Sequence, residues 1–482
     1  MRSLEQALQD HELIVLRVIG EWWELDLTGA DKAACVQAVE TALLNLDLVQ
    51  ELNFLPPEEA AAIQALVAEN GRAPVAAFSR QHGEVRPMGP GRMEREEPWL
   101  DPISPAEALW YRGFLYRGFD ETAEGMMEFF YLPDELLAQF PRPEKTLVVA
   151  ETAVPALTPV TPPQKWETAV TQAVDDLTTM LALAQTTSLS GIDWPRYLLD
   201  ASPPRRSLLF TMAREMNWLR QSDEGLRPTR AALGWLKESR EAQLRALADA
   251  WSASGWNELR RTPGLICEGE GWENDPILAR TAVLDALPRQ PEWVAVNDLV
   301  NHIHATNPDF QRPDGNYDTW YIRDETSGDF LTGFENWPLV EGRLIRFLLA
   351  GPLTWLGLVE LGGDAFRLTA RALDWLQDTP PPPDAVRAPL VVGADGLLVV
   401  PHNSDRYVRF QVMRIAEAEP VSVTRPYQYR LTPQSLKKAG MQGIAPERIL
   451  QFLQDASERP LPAGIQRAIH RWAERGCKGI SP

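Results

Sequence analysis

One pattern of apolar and polar residues occurs twice in the chain. The segment Leu226–Leu236 recurs without a gap as Phe366–Leu376, and six of the eleven positions are identical. In each copy a strand-like stretch ends in Arg-x-Thr, and Leu and Trp then follow with the spacing of one helix face. Thr229 and Thr369 are suited to accept a hydrogen bond from the first turn of a helix. We therefore expect a short strand and a capped helix at both places.

The residues before each copy predict a β-hairpin. Turn-forming residues at 222–225 and 362–364 separate short apolar stretches in both cases. The N-terminal region repeats this order more loosely: a helix opened by Ser104 precedes strand-like Gly113–Phe119 and Met126–Leu132. Further helices are expected near 5–22, 31–45 and 57–70. Helix, hairpin and helix follow one another in a winged-helix domain, so we expect three such units.

Two Pro-rich stretches and a change of pattern suggest domain boundaries. The predicted class is mainly α with short β-hairpins, in which tandem winged-helix-like domains are followed by a small α+β domain. The predicted division is residues 1–140, a linker at 141–166, residues 167–262, residues 263–379, a linker at 380–387, and the α+β domain at 388–482. An insertion at 311–330 is long enough to be functional. Alternatively, its Trp320 and Tyr321 fold back onto their own domain.

After the second Pro-rich stretch, short strands alternate with helices. The expected strands are Leu390–Val392, Leu397–Val400, Val421–Thr424 and Tyr427–Leu431. The expected helices are Asp405–Ala418, Thr432–Ala439, Pro446–Ala456 and Ala463–Arg475.

Charge is distributed unevenly. The chain has a net charge of −20, but residues 383–482 contain 14 Lys and Arg against 9 Asp and Glu, so the other residues sum to −25. Neutralisation of phosphate supplies most non-specific affinity for nucleic acid, which makes the acidic part a poor DNA-binding surface. The charge of +5 is also within ordinary variation for a domain of this size.

The candidates for contact with nucleic acid or a partner all lie in the α+β domain. They are Arg406, Arg409, Arg425, Tyr427, Arg430, Lys437, Lys438, Arg467 and Arg471. Tyr427 alternates with Arg on a predicted strand, where such side chains can stack on bases. The alternative is that this strand simply packs one face inward.

The sequence lacks the motifs of the common catalytic and metal sites. Gly-Lys does not occur as a dipeptide, which excludes the phosphate-binding P-loop. His-Glu-x-x-His, Gly-x-Ser-x-Gly and Cys-x-x-Cys are also absent, and the three Cys residues are far apart. We therefore predict a protein without catalytic residues, cofactor or metal.

The chain opens on an amphipathic helix and has no apolar stretch long enough to span a membrane, so a cytoplasmic protein without a membrane partner is expected.

Several motifs in the last domain carry a family resemblance. They are Gly393–Pro401, Tyr429–Leu436, Gly443–Leu450, Leu461-Pro462 and the closing helix Ile465–Gly476. Residues 388–476 thereby resemble the domain shared by bacterial helicase-associated proteins and the N-terminal region of XPB-type helicases. The order of domains is similar to that of the winged-helix subunit of transcription factor TFIIH that holds and stimulates XPB. The resemblance implies an adaptor that binds a similar domain of a helicase.

Three functional classes follow, and the first is preferred. It is a non-enzymatic accessory protein in DNA repair, transcription or defence, with a helicase or another nucleic-acid enzyme as partner and DNA as a second partner. The alternative is a winged-helix DNA-binding transcriptional regulator. Its best recognition helix, Pro338–Leu349, contains Arg343 and Arg346 but is otherwise largely apolar. An enzyme with an unrecognised acid–base site is the least favoured class.

Overall fold

The computed structural model describes residues 2–122, 125–140, 155–223, 225–270, 272–383 and 386–477, with side chains up to residue 472. These residues form two compact units. The first comprises the residues before 141 together with Asp309–Trp320 and Thr332–Phe334, and the second comprises the remainder. Helices predominate, and the strands form small antiparallel sheets, as the predicted mainly α class requires. The finer division into four domains and two linkers stays a prediction.

The first unit consists of helices around a three-stranded sheet. Its helices are α1 (Leu4–Asp10), α2 (Leu13–Trp22), α3 (Lys32–Leu44), α4 (Leu48–Phe54), α5 (Pro57–Ala68), α6 (Val75–His82), α7 (Pro90–Glu96), α8 (Pro105–Arg112) and α9 (Asp134–Leu137). Its strands are β1 (Arg72–Pro74), β2 (Tyr116–Thr122) and β3 (Gly125–Tyr131), in the order β1-β3-β2. Strands β2 and β3 form the predicted hairpin, with Phe119 opposite Glu128.

The expected helix at 5–22 is two helices. The backbone of His11 is extended (φ −70°, ψ 148°), so α1 ends there and α2 begins two residues later. The His11 ring is buried and lies edge-on to Trp110, with ring centres 4.6 Å apart, and beside Tyr116. The apolar periodicity continues across this break, which explains why the sequence does not reveal it.

The first part of the second unit contains both copies of the repeat. Its helices are α10 (Gln172–Thr186), α11 (Trp194–Tyr197), α12 (Pro203–Glu215), α13 (Arg230–Trp235), α14 (Arg240–Ser252), α15 (Pro276–Ala286), α16 (Val296–Thr306), α17 (Trp337–Leu348) and α18 (Ala370–Leu376). Its strands are β4 (Leu219–Ser222), β5 (Gly225–Pro228), β6 (Leu265–Cys267), β7 (Val294–Ala295), β8 (Ile322–Asp324), β9 (Val359–Gly362) and β10 (Ala365–Leu368).

The two copies of the repeat share their local geometry. The hydroxyls of Thr229 and Thr369 each accept a hydrogen bond from the amide three residues on, which confirms both predicted caps. Each hydroxyl also donates to a carbonyl twelve residues earlier, at Asn217 and Gly357. Both of these residues have a positive φ, +53° and +70°, where the preceding helical stretch ends. The repeat therefore extends upstream of its identical residues.

The first unit contains the same type of helix ending. Gly113 has a φ of +80° at the end of α8, and the amide of Phe114 bonds to the carbonyl of Leu109, five residues earlier. The equivalent bonds in the repeat copies join Trp218 to Ala213 and Leu358 to Leu353. A hairpin follows in all three places. This shared geometry supports the prediction of a third, more divergent copy, and winged-helix domains stay a prediction.

The predicted insertion at 311–330 is divided between the two units. Residues up to Trp320 belong to the first, and those from Tyr321 to Leu331 belong to the second. Trp320 is buried, with the guanidinium of Arg312 4.1 Å from its ring centre, whereas Tyr321 is 57% exposed. Of the two aromatic residues, Trp320 packs into a core and Tyr321 does not.

The C-terminal part of the second unit has the predicted α+β character. Its strands are β11 (Val391–Val392), β12 (Leu397–Val400), β13 (Glu417–Ala418) and β14 (Tyr427–Arg430), in the order β11-β12-β14-β13. Its helices are α19 (Arg406–Ile415), α20 (Pro433–Met441), α21 (Pro446–Ala456) and α22 (Ala463–Cys477). The strand expected at Val421–Thr424 is wrong, because Glu417–Ala418 pairs with β14 instead. Thr432 caps α20.

Candidate partner interface

Helix α19 packs along α10, and Arg409 is central to this contact. Its side chain is buried, and Nη2 donates to the carbonyl of Asp175 and to the hydroxyl of Thr179, the latter at 3.0 Å. The guanidinium also lies 4.0 Å from the ring centre of Tyr427, which is buried as well. Arg409 thus joins the C-terminal part of the unit to α10, and Tyr427 packs against its guanidinium.

Arg406 makes a second buried contact one turn earlier. Its Nε donates to the side-chain oxygen of Gln243 at 2.9 Å, and Nη2 donates to the carbonyl of Glu238. Arg406 and Arg409 are three residues apart, so they project from neighbouring positions on one helix face. Both were candidates for contact with an external partner, as was Tyr427. As placed, all three pack inside the chain and not on a surface open to a partner.

A set of ion pairs on α10 surrounds these arginines. Arg240 binds both carboxylate oxygens of Asp175 and donates to the carbonyl of His402 at 2.8 Å. Arg205 binds Asp176, whose other oxygen accepts the amide of Leu199 at 2.7 Å. Every buried carboxylate here therefore has a guanidinium partner, which a charge in a low-dielectric interior needs.

Burial and the neighbouring charged and phenolic groups together set the pKa values in this cluster. Burial raises the pKa of Asp176, and the neighbouring Arg205 opposes that rise. Burial alone would lower the pKa of Arg409, but Tyr429, Tyr427 and the two aspartates hold it above its ordinary value. Burial also raises the pKa of Tyr429 to about 12. At neutral pH the tyrosines are therefore neutral and Arg409 is charged.

The other six candidates are exposed. They are Arg425, Arg430, Lys437, Lys438, Arg467 and Arg471. Arg430 lies near two carboxylates, 3.4 Å from Glu419 and 3.6 Å from Asp395, which partly neutralise it. Lys437 and Lys438 lie on α20. Arg467 and Arg471 lie one turn apart on α22, and α22 packs against α20. These two helices thus carry four exposed cations.

Sequence reasoning missed the acidic half of the cluster. Asp175 and Asp176 were two among 67 Asp and Glu residues, and Arg240 was not singled out. One signal in the sequence indicated that these carboxylates are buried. They stand near the start of a helix whose other residues are mostly apolar or small, which is typical of a helix that is packed on all sides. Their partners lie 29 to 65 residues away, beyond the reach of local patterns.

The described residues contain no group of three His, Cys, Asp or Glu side chains arranged to hold a metal ion. In the same ranges no helix is both long and apolar enough to cross a membrane.

One comparison with known proteins bears on this region. A family model described as the helicase conserved C-terminal domain matches residues 390–477. No curated protein matches the chain. The match supports a helicase-associated protein, and it covers nearly the same residues as the resemblance at 388–476. The matched region begins at β11, so it includes α19 with its buried arginines and the exposed cations of α20 and α22.

Proposed function

We propose that the protein is a non-enzymatic accessory factor that binds a helicase-type partner through its C-terminal domain and contacts DNA with the same domain. The observation that carries the proposal is the division of the basic residues in the matched region. Arg406 and Arg409 fix this region to the preceding helices, whereas Lys437, Lys438 and six arginines among its described residues face solvent.

The absence of a P-loop in the sequence supports an accessory role over that of a motor. In the proposal, the three helix–hairpin–helix units are winged-helix scaffolds, and the last domain is XPB-like. Binding to the partner brings the cations of α20 and α22 near the phosphates of the bound nucleic acid, where they add affinity. The setting is DNA repair, transcription or defence in a bacterial cytoplasm.

The alternative function, a winged-helix DNA-binding transcriptional regulator, needs a recognition helix with cations that are free to contact DNA. Arg343, on its best candidate for a recognition helix, donates to the carbonyl of Gly264 and to Asp324. Arg346 donates to the side chain of Asn297 at 2.7 Å. Both cations of that helix are engaged within the second unit and would have to leave these contacts to reach a base.

The test is affinity capture with the full chain as bait, followed by identification of the captured proteins. The wild type is compared with Lys437→Glu/Lys438→Glu and with the control Lys165→Glu/Arg220→Glu, which makes the same change of charge at exposed positions outside the domain. We expect a protein with a helicase motor to be captured by the wild type and the control, and less of it by Lys437→Glu/Lys438→Glu, because the affinity that the phosphate contacts add is lost. Capture without any nucleic-acid enzyme would contradict the proposal.

A further inference from the structure

The first unit has a cleft that the proposed function does not use. One side is a face of the β2–β3 hairpin, and the other sides are α6, the segment Glu84–Pro87 and the segment Asp314–Asp318. The cleft has a volume of about 620 Å³, and all of its lining residues belong to the first unit.

Two large apolar side chains are exposed in this cleft. Phe119 on β2 is 61% exposed and Met126 on β3 is 67% exposed. Phe119 is paired with Glu128, and Met126 with Glu121, so all four side chains lie on one face of the hairpin. Single exposed apolar residues are common on protein surfaces, but two neighbours in a concave surface mark a contact site.

The charges that line the cleft leave it acidic. Both cations are neutralised: Arg117 binds Glu128 with two hydrogen bonds of 2.7 and 2.6 Å, and Arg80 binds both oxygens of Asp309. Glu84 and Asp318 are exposed at the rim. The described residues of the first unit contain 11 Lys and Arg against 27 Asp and Glu, a net charge of −16. The field of the whole unit therefore attracts cations and repels phosphate.

The edge of the sheet adds a means of binding. Strand β2 is the last strand in the order β1-β3-β2, and its outer edge carries no further strand among the described residues. A seven-residue edge beside Phe119 can pair with an extended segment through backbone hydrogen bonds, while side chains enter the adjacent cleft.

We propose that this cleft binds an extended, positively charged segment of a partner protein, in which apolar side chains alternate with Lys or Arg. The apolar side chains of the segment cover Phe119 and Met126, and its cations face Glu84, Glu121 and Asp318. This surface is separate in chemistry and position along the chain from the basic C-terminal domain. One chain can thus engage a second partner protein besides the helicase.

The probe is a fluorescent peptide of alternating Lys and Leu, titrated with the full chain and followed by anisotropy. Two peptides serve as comparisons, one of alternating Glu and Leu and one of alternating Lys and Ser. The cleft variant is Phe119→Ser/Met126→Ser. The matched control is Phe54→Ser/Leu100→Ser, which removes two apolar side chains of 72% exposure elsewhere in the same unit. Circular dichroism verifies that both variants fold.

We expect the Lys-Leu peptide to bind the wild type and the control equally, and the cleft variant at least about tenfold more weakly, as for a contact that carries much of the binding energy. The two comparison peptides bind weakly. The proposal is overturned if both variants bind alike, if the Glu-Leu peptide binds as well, or if no peptide binds. It is also overturned if sedimentation shows self-association that only the cleft variant loses, because the occupant is then a second copy.

Discussion

The guanidinium of Arg409 lies 4.0 Å from the centre of the Tyr427 ring, and both side chains are buried. One residue belongs to helix α19 and the other to strand β14, and the arginine reaches from this pair to the backbone of α10. Arg409 was predicted to contact nucleic acid, but it lies in the interior of the second unit. There its guanidinium binds a carbonyl oxygen and an aromatic ring of the same chain.

Replacement of Arg409 should destabilise the second unit. Arg409→Met keeps much of the side-chain volume but removes the hydrogen bonds to Asp175 and Thr179 and the cation over Tyr427. We expect a loss of about 3 kcal/mol in the free energy of unfolding, measured with urea, because two buried hydrogen bonds and the cation–π contact are lost together. Arg467→Met, at an exposed position, should change it by less than about 0.5 kcal/mol. Equal effects of the two variants would refute the role of Arg409.

The stability of the first unit should decrease when the solution is acidified. Burial, and secondarily Lys32, lower the pKa of His11 from 6.5 to about 4. Between these values the unfolded chain binds a proton at His11 and the folded chain does not. Stability is therefore complete above pH 6.5 and falls as the pH approaches 4, by about 3 kcal/mol in total.

The measurement for His11 is urea unfolding at pH 7 and pH 4.5, followed by tryptophan fluorescence. His11→Phe keeps an aromatic ring against Trp110 but does not titrate. Carboxylates affect both proteins alike, so the difference between wild type and variant isolates the histidine. A wild type that loses no more stability than His11→Phe would show that His11 is not buried in its neutral form.

Gly315 should be needed for the wall of the acidic cleft. Its φ is +67°, and a Cβ atom there would lie 2.8 Å from the backbone nitrogen of Ala77 on α6. Gly315→Ala should destabilise the first unit by about 2 kcal/mol and expose Tyr317, because backbone strain and a steric clash add. Gly328→Ala is the matched control, since it has a φ of +78° and nothing within 4 Å. Thermal unfolding compares the two, and a larger loss in the control would contradict the clash.

DNA binding by the full chain should depend on α20. We expect Lys437→Gln/Lys438→Gln to weaken binding to duplexes of unrelated sequence by the same factor. The slope of log affinity against log salt concentration should fall by about 2, since two phosphate contacts are lost. Fluorescence anisotropy at several salt concentrations measures both effects. An unchanged slope would mean that these lysines do not contact phosphate.

The local patterns predicted the repeated elements well. Arg-x-Thr followed by Leu and Trp predicted a strand and a capped helix at Thr229 and at Thr369, and both caps are present. Such signals depend on residues a few positions apart, which the sequence displays directly. The division of α1 from α2 at His11 depends instead on packing against Trp110, nearly a hundred residues later.

The candidate interface was predicted only in part. The net positive charge of the last hundred residues is read directly from the sequence, but composition does not distinguish the buried Arg409 from the exposed Lys437. That distinction arises from α10, which approaches α19 from 230 residues upstream. The acidic cleft was not predicted either, because its walls come from three distant segments that meet only in the folded unit.

ATP hydrolysis by the purified full chain on forked DNA, alone and with the captured helicase, tests most directly whether the protein is an accessory factor. We expect no hydrolysis by the chain alone and faster hydrolysis by the helicase when the chain is added. We also expect Lys437→Glu/Lys438→Glu to lose this stimulation and Lys165→Glu/Arg220→Glu to retain it. DNA-dependent hydrolysis by the chain alone would contradict the claim that it is an accessory protein and not a motor.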